Sequence, residues 1–410
     1  MTDKMHHSPD RLVARGALVA LPQRIKEYLS DVRPLLVGDD ATMHAAGARA
    51  ASLIASHFPV VSHSLGAHPI ASLSGVEAVM EHAKTSQANF LLAVGSGTIN
   101  DICKLAAFRL QLPYIAIATA ASMNGYTSAN ASITAGQHKT SFTAAAPKAV
   151  IADLDIIAAA PARMARAGLA DTLCRATVEA DALLSHHLLY SEFPAEGFAT
   201  LRAHEAALIA DAEKLRAQDP HYLSLLMQAL LDGGDWMTRT GSSAIASQGE
   251  HMIAHTLEML YPEQMKNYLH GEMIAVATSS MQQLQLPYMA EIHAHKIPVV
   301  HGLPCEQAMF MKHFGKQLGA ELCAQFKKKN LNIAQVTEIN ERLGAEWPHI
   351  RATLAQVMTL FPAIQQAFAQ AGIETKPEAI GMSEKEYARA IHIAHLTRDR
   401  FTFLDLAAMG

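Results

Sequence analysis

The chain has 410 residues, half of them hydrophobic and 17% charged, with a formal net charge of -5. This composition supplies a large core and excludes wholesale disorder. The acidic balance lacks the cationic excess that neutralises phosphates along a nucleic acid, so no nucleic-acid partner is expected.

The length exceeds the roughly 250 to 300 residues at which one core divides into two, so two domains are expected. No apolar run approaches the ~18 residues that span a bilayer; the stretch from Ile151 to Ala162 is broken by Asp153 and Asp155. The opening MTDKMHHSPD is polar and has no apolar signal core. Cys103, Cys174, Cys305 and Cys323 show no CxxC spacing, which argues against a zinc knuckle or disulfide framework and for reduced thiols in the cytoplasm.

In chain order, four short apolar runs each end at a turn residue: Pro34 to Val37, Phe90 to Val94, Tyr114 to Ala118 and Ala149 to Ala152. Runs of that length, apolar throughout and separated by helix-like stretches, predict parallel strands buried on both faces. After Pro161 the pattern turns to Ala, Leu and Met at helical spacing, and Pro194, Pro220, Pro262, Pro287, Pro304, Pro348 and Pro362 divide it into helices. The expected architecture is an α/β Rossmann-like domain over 1–157 and an all-α domain over 158–410.

Five segments carry chemistry. Gly95, Ser96, Gly97, Thr98 and Asp101 follow a strand and open a helix, where backbone N–H groups can cradle a phosphate. The third glycine of GxGxxG is absent, and a tight turn without a ligand is the other reading. Thr119, Ser122, Asn124 and Ser128 follow the next strand, where open α/β sheets bind ligands; a polar turn-forming loop reads the same way. His251 and His255, preceded by Glu250, stand four apart on one helical face. Met252 replaces the glutamate of HExxH, which disfavours a metalloprotease, and chance spacing is the alternative. His270-Gly271-Glu272 opens another helical run, and Asp171 reads either as a functional carboxylate or as a cap at the start of an Ala/Leu-rich helix.

Taken in order, these segments resemble the superfamily of glycerol dehydrogenases, iron-containing alcohol dehydrogenases and 3-dehydroquinate synthases, and within it the sn-glycerol-1-phosphate dehydrogenases. The matching text is GSGTINDICK at 95–104, TAASMNGYTS at 119–128, PKAVIADLDIIAAAP at 147–161, the Asp171 segment, EHMIAHTLEM at 250–259, HGE at 270–272 and RDRFTFLDL at 398–406. The resemblance implies a dehydroquinate synthase-like fold, a homo-oligomer, and a divalent metal on Asp171, His251 and His270. Three protein ligands leave a position for substrate; zinc suits them best, and nickel or iron is also accommodated.

NAD or NADP would lie along Gly95 to Thr98, with Asp101, Thr119, Ser122 and Ser128 around it and Asp39 at the adenosine ribose. Asp39 and Asp40 lean toward NAD, since a carboxylate prefers a ribose hydroxyl to a phosphate. Asn124 would orient nicotinamide and substrate, and His255 would relay a proton or orient a ligand.

The chain departs from that family where substrate is chosen. Asn124 replaces an aspartate, Ala244 an arginine, and Arg175 a lysine. A phosphorylated substrate needs cations, for which Lys139, Arg175, Arg398 and Arg400 are candidates. The expected reaction is reversible reduction of dihydroxyacetone phosphate to sn-glycerol 1-phosphate. The alternatives are another small ketone or polyol, a lyase of the 3-dehydroquinate synthase kind, or a cofactor-binding protein without catalysis.

Overall fold

The computed structural model describes residues 8–136, 138–290 and 297–409. Six strands form one sheet in the order β1 (Asp10–Ala14), β8 (Ala149–Asp153), β5 (Tyr114–Ala118), β4 (Phe90–Gly95), β2 (Pro34–Gly38), β3 (Val61–Ser64). Every pairing is parallel. The four central strands are the four apolar runs, buried from end to end. One face packs Leu36, Leu92, Val94, Ile117 and Ile151 against Leu18, Leu21, Ile25 and Ile54. Burial of this kind contributes about 25 cal/mol per Å² of apolar surface and is the main force closing the sheet.

The strand order has a consequence for ligands. The chain leaves β2 toward β3 but leaves β4 toward β5, so the topological switch point lies between β2 and β4. Loops after these two strands line the crevice in which open α/β sheets bind ligands. Asp39 follows β2, and Gly95 to Thr98 follow β4.

The other four strands carry no continuous apolar run. β1 and β3 are sheet edges whose residues are half-buried or exposed. β6 (Asn130–Ala135) and β7 (His138–Thr143) form a separate antiparallel hairpin.

Residues divide by packing into two units, Met1–Thr172 with Thr200–Ser242, and Leu173–Ala199 with Ser243–Gly410. The helices used below are α1 (Leu73–Thr85), α2 (Gly97–Leu110), α3 (Ala162–Leu173), α4 (Arg175–Leu189), α5 (Pro220–Thr240), α6 (Gly249–Leu260), α7 (His270–Gln285), α8 (Ile333–Met358), α9 (Phe361–Ala371), α10 (Glu384–Ala394) and α11 (Phe403–Met409). In the first unit α1 packs on α2; in the second α8 packs on α4, and α6 lies against α7 and α10. No helix among the described residues is long and apolar enough to cross a membrane.

Proline marks helix starts at Pro220 and Pro262, each at a first turn where its missing N–H has no partner to lose. Pro348 does not divide the chain as the sequence reading has it, because it lies inside the 26-residue α8. Leu343, Trp347, Ile350 and Leu354 are buried, while Pro348 and Gly344 are exposed, so the carbonyl freed four residues back is on the wet face. Continuous burial of one stripe outweighs the lost bond.

Asp153 ends β8 and is fully buried. Its Oδ1 accepts from the N–H of Gly16 at 2.9 Å and of Asp155 at 3.1 Å, and its Oδ2 from the N–H of Leu18 at 3.1 Å. Asp153→Ala removes the acceptor these donors share, the buried Leu18 N–H among them, and is expected to cost roughly 3 kcal/mol. A thermal-unfolding midpoint lowered by several degrees, with Asp153→Asn falling less, checks this.

Candidate active site

In the sheet unit, a side chain at Gly95 would collide with Ile99, the first apolar residue of α2. The turn therefore needs glycine there. Ser96 precedes α2 without capping it, and its hydroxyl is hydrogen-bonded to that of Ser122. The N–H of Thr119 reaches the carbonyl of Gly95 at 3.4 Å. Gly95 to Thr98 and Thr119 to Ser122 are thus brought together at the carboxyl ends of β4 and β5. A helix start without a side-chain cap points N–H groups and the positive end of its dipole outward, which suits a pyrophosphate.

Asp39 sits across the switch point and caps the next helix, accepting from the N–H of Thr42 at 2.8 Å while the Thr42 hydroxyl accepts from the N–H of Asp39 at 2.9 Å. One carboxylate oxygen is fixed by this exchange.

Asp101 and Ser128 stand deeper, around a residue the sequence reading did not select. Lys104, fully buried on α2, directs Nζ at the Gly125 carbonyl (2.6 Å), the Asn130 carbonyl (2.9 Å), Ser128 Oγ (3.1 Å) and Asp101 Oδ1 (3.4 Å). Asp101 Oδ2 accepts from the N–H of Ser132 at 3.1 Å. Burial pulls the Lys104 ammonium below the usual lysine range, and Asp101 opposes that. This ammonium ties the loop after β5 and the hairpin to α2. A lysine inside an apolar helical face is the signal that could have revealed it.

Asp171 is not a helix cap. It lies in the last turn of α3, and α4 starts after Cys174 without a side-chain cap. A carboxylate there faces the negative end of the helix dipole. It is buried, and its Oδ2 accepts from the backbone N–H of Asn124 at 3.1 Å. Asn124 thus meets Asp171 through its main chain. The loop carrying it is pressed on α5, where the Thr127 hydroxyl donates to the Leu231 carbonyl at 2.6 Å and a side chain at Gly234 would strike Asn124.

In the helical unit, three imidazoles converge. Ring centroids of His251 and His270 are 5.1 Å apart, those of His255 and His270 5.6 Å apart, and those of His251 and His255 6.2 Å apart. A ring nitrogen of His251 and one of His270 lie within 4.8 Å of each other. His270 opens α7, whose start is fixed by Glu272 Oε2 accepting from the N–H of Leu269 at 2.8 Å.

Glu250 orients His251. Its Oε1 lies 2.8 Å from Nδ1 of His251 and accepts from the N–H of Gln248 at 2.8 Å, while Oε2 accepts from the Thr177 hydroxyl at 3.2 Å. A carboxylate at Nδ1 is the arrangement that sets the ring of a metal-binding histidine. The Cys174 thiol also lies within 4.8 Å of Glu250 and His251 ligand atoms.

His255 departs from the expectation of a titrating relay near neutrality. Burial, more than the nearby Arg398 charge, pushes its pKa down to about 3, although Glu258 at 3.0 Å opposes this. The imidazole is held neutral with Nδ1 at Glu258.

A glycine turn that opens a helix beyond a parallel sheet, and a helical imidazole pair oriented by a carboxylate, fit a metal-dependent alcohol dehydrogenase. The iron-containing alcohol dehydrogenase family model matches residues 12–161. A glycerol-1-phosphate dehydrogenase [NAD(P)+] of Methanosarcina barkeri is 36% identical over 275 residues, 67% of this chain and 76% of its own. That of Pyrococcus horikoshii is 36% identical over 61% of this chain and 70% of its own. A probable glycerol dehydrogenase from Sinorhizobium meliloti shares the fold, with a TM-score of 0.64 at 19% identity over 98% of this chain and 92% of its own. The chain belongs to the glycerol-1-phosphate dehydrogenase family, metal-dependent NAD(P)-linked oxidoreductases.

Behind the histidines lies Asp181, also missed in the sequence. Its Oδ2 accepts from the N–H of Gly249 at 3.0 Å and its Oδ1 from the N–H of Phe403 at 3.0 Å and the Gln285 amide at 3.2 Å. Burial, then the Glu250 charge, raises its pKa from 3.8 to about 8. A carboxyl raised in this way contributes stability that is complete below its unfolded pKa and is lost as pH climbs through its folded pKa. Between pH 5 and 8 the wild type should lose stability relative to Asp181→Asn at up to about 1.4 kcal/mol per pH unit. Parallel thermal melts across that window test it; equal slopes would refute it.

Proposed function

We propose that this protein reduces dihydroxyacetone phosphate to sn-glycerol 1-phosphate with NAD(P)H, reversibly. The observation that carries this is the Glu250-oriented pairing of His251 with His270, in a chain whose relatives are named for that reaction. Two imidazoles whose ring nitrogens converge are a fitting donor set for a borderline divalent ion. Asp171, kept buried against its helix dipole, is the carboxylate we assign as third ligand, with His251 and His270. Zinc is the metal this nitrogen and oxygen set favours, with nickel and iron as the other ions it accepts.

The metal supplies Lewis acidity at a substrate oxygen, and the nicotinamide supplies the hydride. The rest falls to the chain. The N–H groups opening α2 at Gly97 and Thr98 bind the pyrophosphate, with Gly95 and Ser96 shaping the turn. Asp39 takes the adenosine ribose through the oxygen its cap leaves available, which favours NAD. Thr119 and Ser122 border the nicotinamide. Asp101 and Ser128 act through Lys104, holding the loop that presents Asn124. His255, held neutral with Nδ1 at Glu258, orients the substrate.

The test is direct. The metal is identified by elemental analysis, removed with a chelator and restored, and NADH oxidation is followed with dihydroxyacetone phosphate and with dihydroxyacetone. Turnover favouring the phosphorylated ketone, lost on chelation and in His251→Ala, is the expected result. Silence with both ketones from a metal-loaded, NADH-binding sample rejects the substrate; turnover without net NADH change indicates a lyase.

Glu250→Gln removes the charge that sets the His251 ring and is expected to weaken metal affinity by about 10- to 100-fold. Competition against a chromogenic chelator measures this apart from activity, and unchanged affinity would exclude the orienting role.

A further inference from the structure

We propose that Arg398 is the residue that receives the phosphate of the substrate, and so sets the preference for a phosphorylated ketone. This rests on the reading of the reaction just given. Four cations stand as candidates in the sequence, and the structure separates them. Arg175 is buried and ion-paired with Glu179. Arg400 donates to the Ser247 carbonyl, to Ser247 Oγ at 3.2 Å and to Ser243 Oγ at 2.7 Å. Lys139 is exposed on β7 in the sheet unit. Arg398 is half-buried, yet makes no hydrogen bond or close ion pair with any described residue.

The loop carrying Arg398 is built to hold it still. Thr397 Oγ1 donates to the Ala394 carbonyl at 2.8 Å, and Thr402 N–H to Asp405 Oδ2 at 2.8 Å. Between them, buried Lys329 bonds the Arg400 carbonyl at 2.8 Å and pairs with Asp405 at 2.7 Å. Arg400 then fastens the loop to Ser243 and Ser247, just before Glu250 and His251. The stretch Ala244-Ile245-Ala246 has no cation of its own, so positive charge comes to this end of α6 from the C-terminal loop.

Arg398 lies within electrostatic reach of His255 and of Glu258, which is bonded to that imidazole. A guanidinium withdrawn from water without a close partner carries a desolvation cost. A phosphate dianion relieves it, and the planar fork can bind two phosphate oxygens at once. Rigid placement means that little ordering is needed when substrate arrives.

The experiment compares metal-loaded wild type with Arg398→Gln, Arg398→Lys and Lys139→Gln. It measures kcat and KM for dihydroxyacetone phosphate and dihydroxyacetone, and competition by inorganic phosphate. Loss of a charge-assisted contact should raise KM for the phosphorylated ketone in Arg398→Gln by about 10- to 100-fold, with a smaller change in kcat. The kcat/KM preference for the phosphorylated ketone and the inhibition by phosphate should fall in step. Arg398→Lys should recover part of both, as a point charge without the fork, and Lys139→Gln should match wild type.

Wild-type KM and phosphate inhibition in Arg398→Gln, in an enzyme that prefers the phosphorylated ketone, would overturn this assignment and leave the proposed reaction intact. A wild type indifferent to the phosphate would overturn both. NADH fluorescence titration reports folding, and if Arg398→Gln fails to bind NADH, the KM of Arg398→Lys decides alone: raised supports the assignment, unchanged rejects it.

Discussion

Glu250 is the point on which the helical unit is organised. A carboxylate removed from water is tolerable only if its lone pairs are filled, and here the imidazole of His251, the Gln248 N–H and the Thr177 hydroxyl fill them. One charge therefore fixes α6 to α4 and sets the ring of His251. It also dictates its surroundings. Asp181, close enough to feel Glu250, is driven toward its neutral form, and it takes backbone N–H groups from the first residue of α6 and the first residue of α11. Orientation of a ligand and closure of the C-terminal segment on the bundle share one set of hydrogen bonds.

The sheet unit solves a parallel problem with the opposite charge. Its ligand loops follow β4 and β5 and would be free to move if only their ends were fixed. Lys104 gathers main-chain carbonyls from the loop and hairpin onto α2. The helix whose N-terminus suits a pyrophosphate is thereby the helix that holds the loop after β5, so both segments are set by one rigid element.

What was readable in the sequence follows from how local each signal is. The central strands stood out because parallel strands covered on both sides must be apolar at every position. The edge strands DRLVA and VSHS lie where that demand lapses, and nothing in their residues distinguishes them from loop. The glycine turn and the histidine pair are fixed short-range spacings. Asp181, Lys104 and Arg400 owe their roles to partners 20 to more than 200 positions away in sequence, such as Phe403 for Asp181. Pro348 misled because a local propensity was overridden by tertiary burial of Trp347 and its stripe.

Asp171 shows how function can be argued from cost. A helix of Ala and Leu has no structural use for a buried carboxylate in its last turn, where the dipole repels it, and any apolar residue would pack there more cheaply. The fold nonetheless turns the Asn124 N–H toward it and seats the Asn124 loop against α5 at Gly234, a position closed to side chains. That hydrogen bond fixes where the carboxylate stands relative to the Asn124 loop. A buried carboxylate opposed to its helix dipole, with neighbouring backbone shaped around it, is the pattern expected where stability is exchanged for activity.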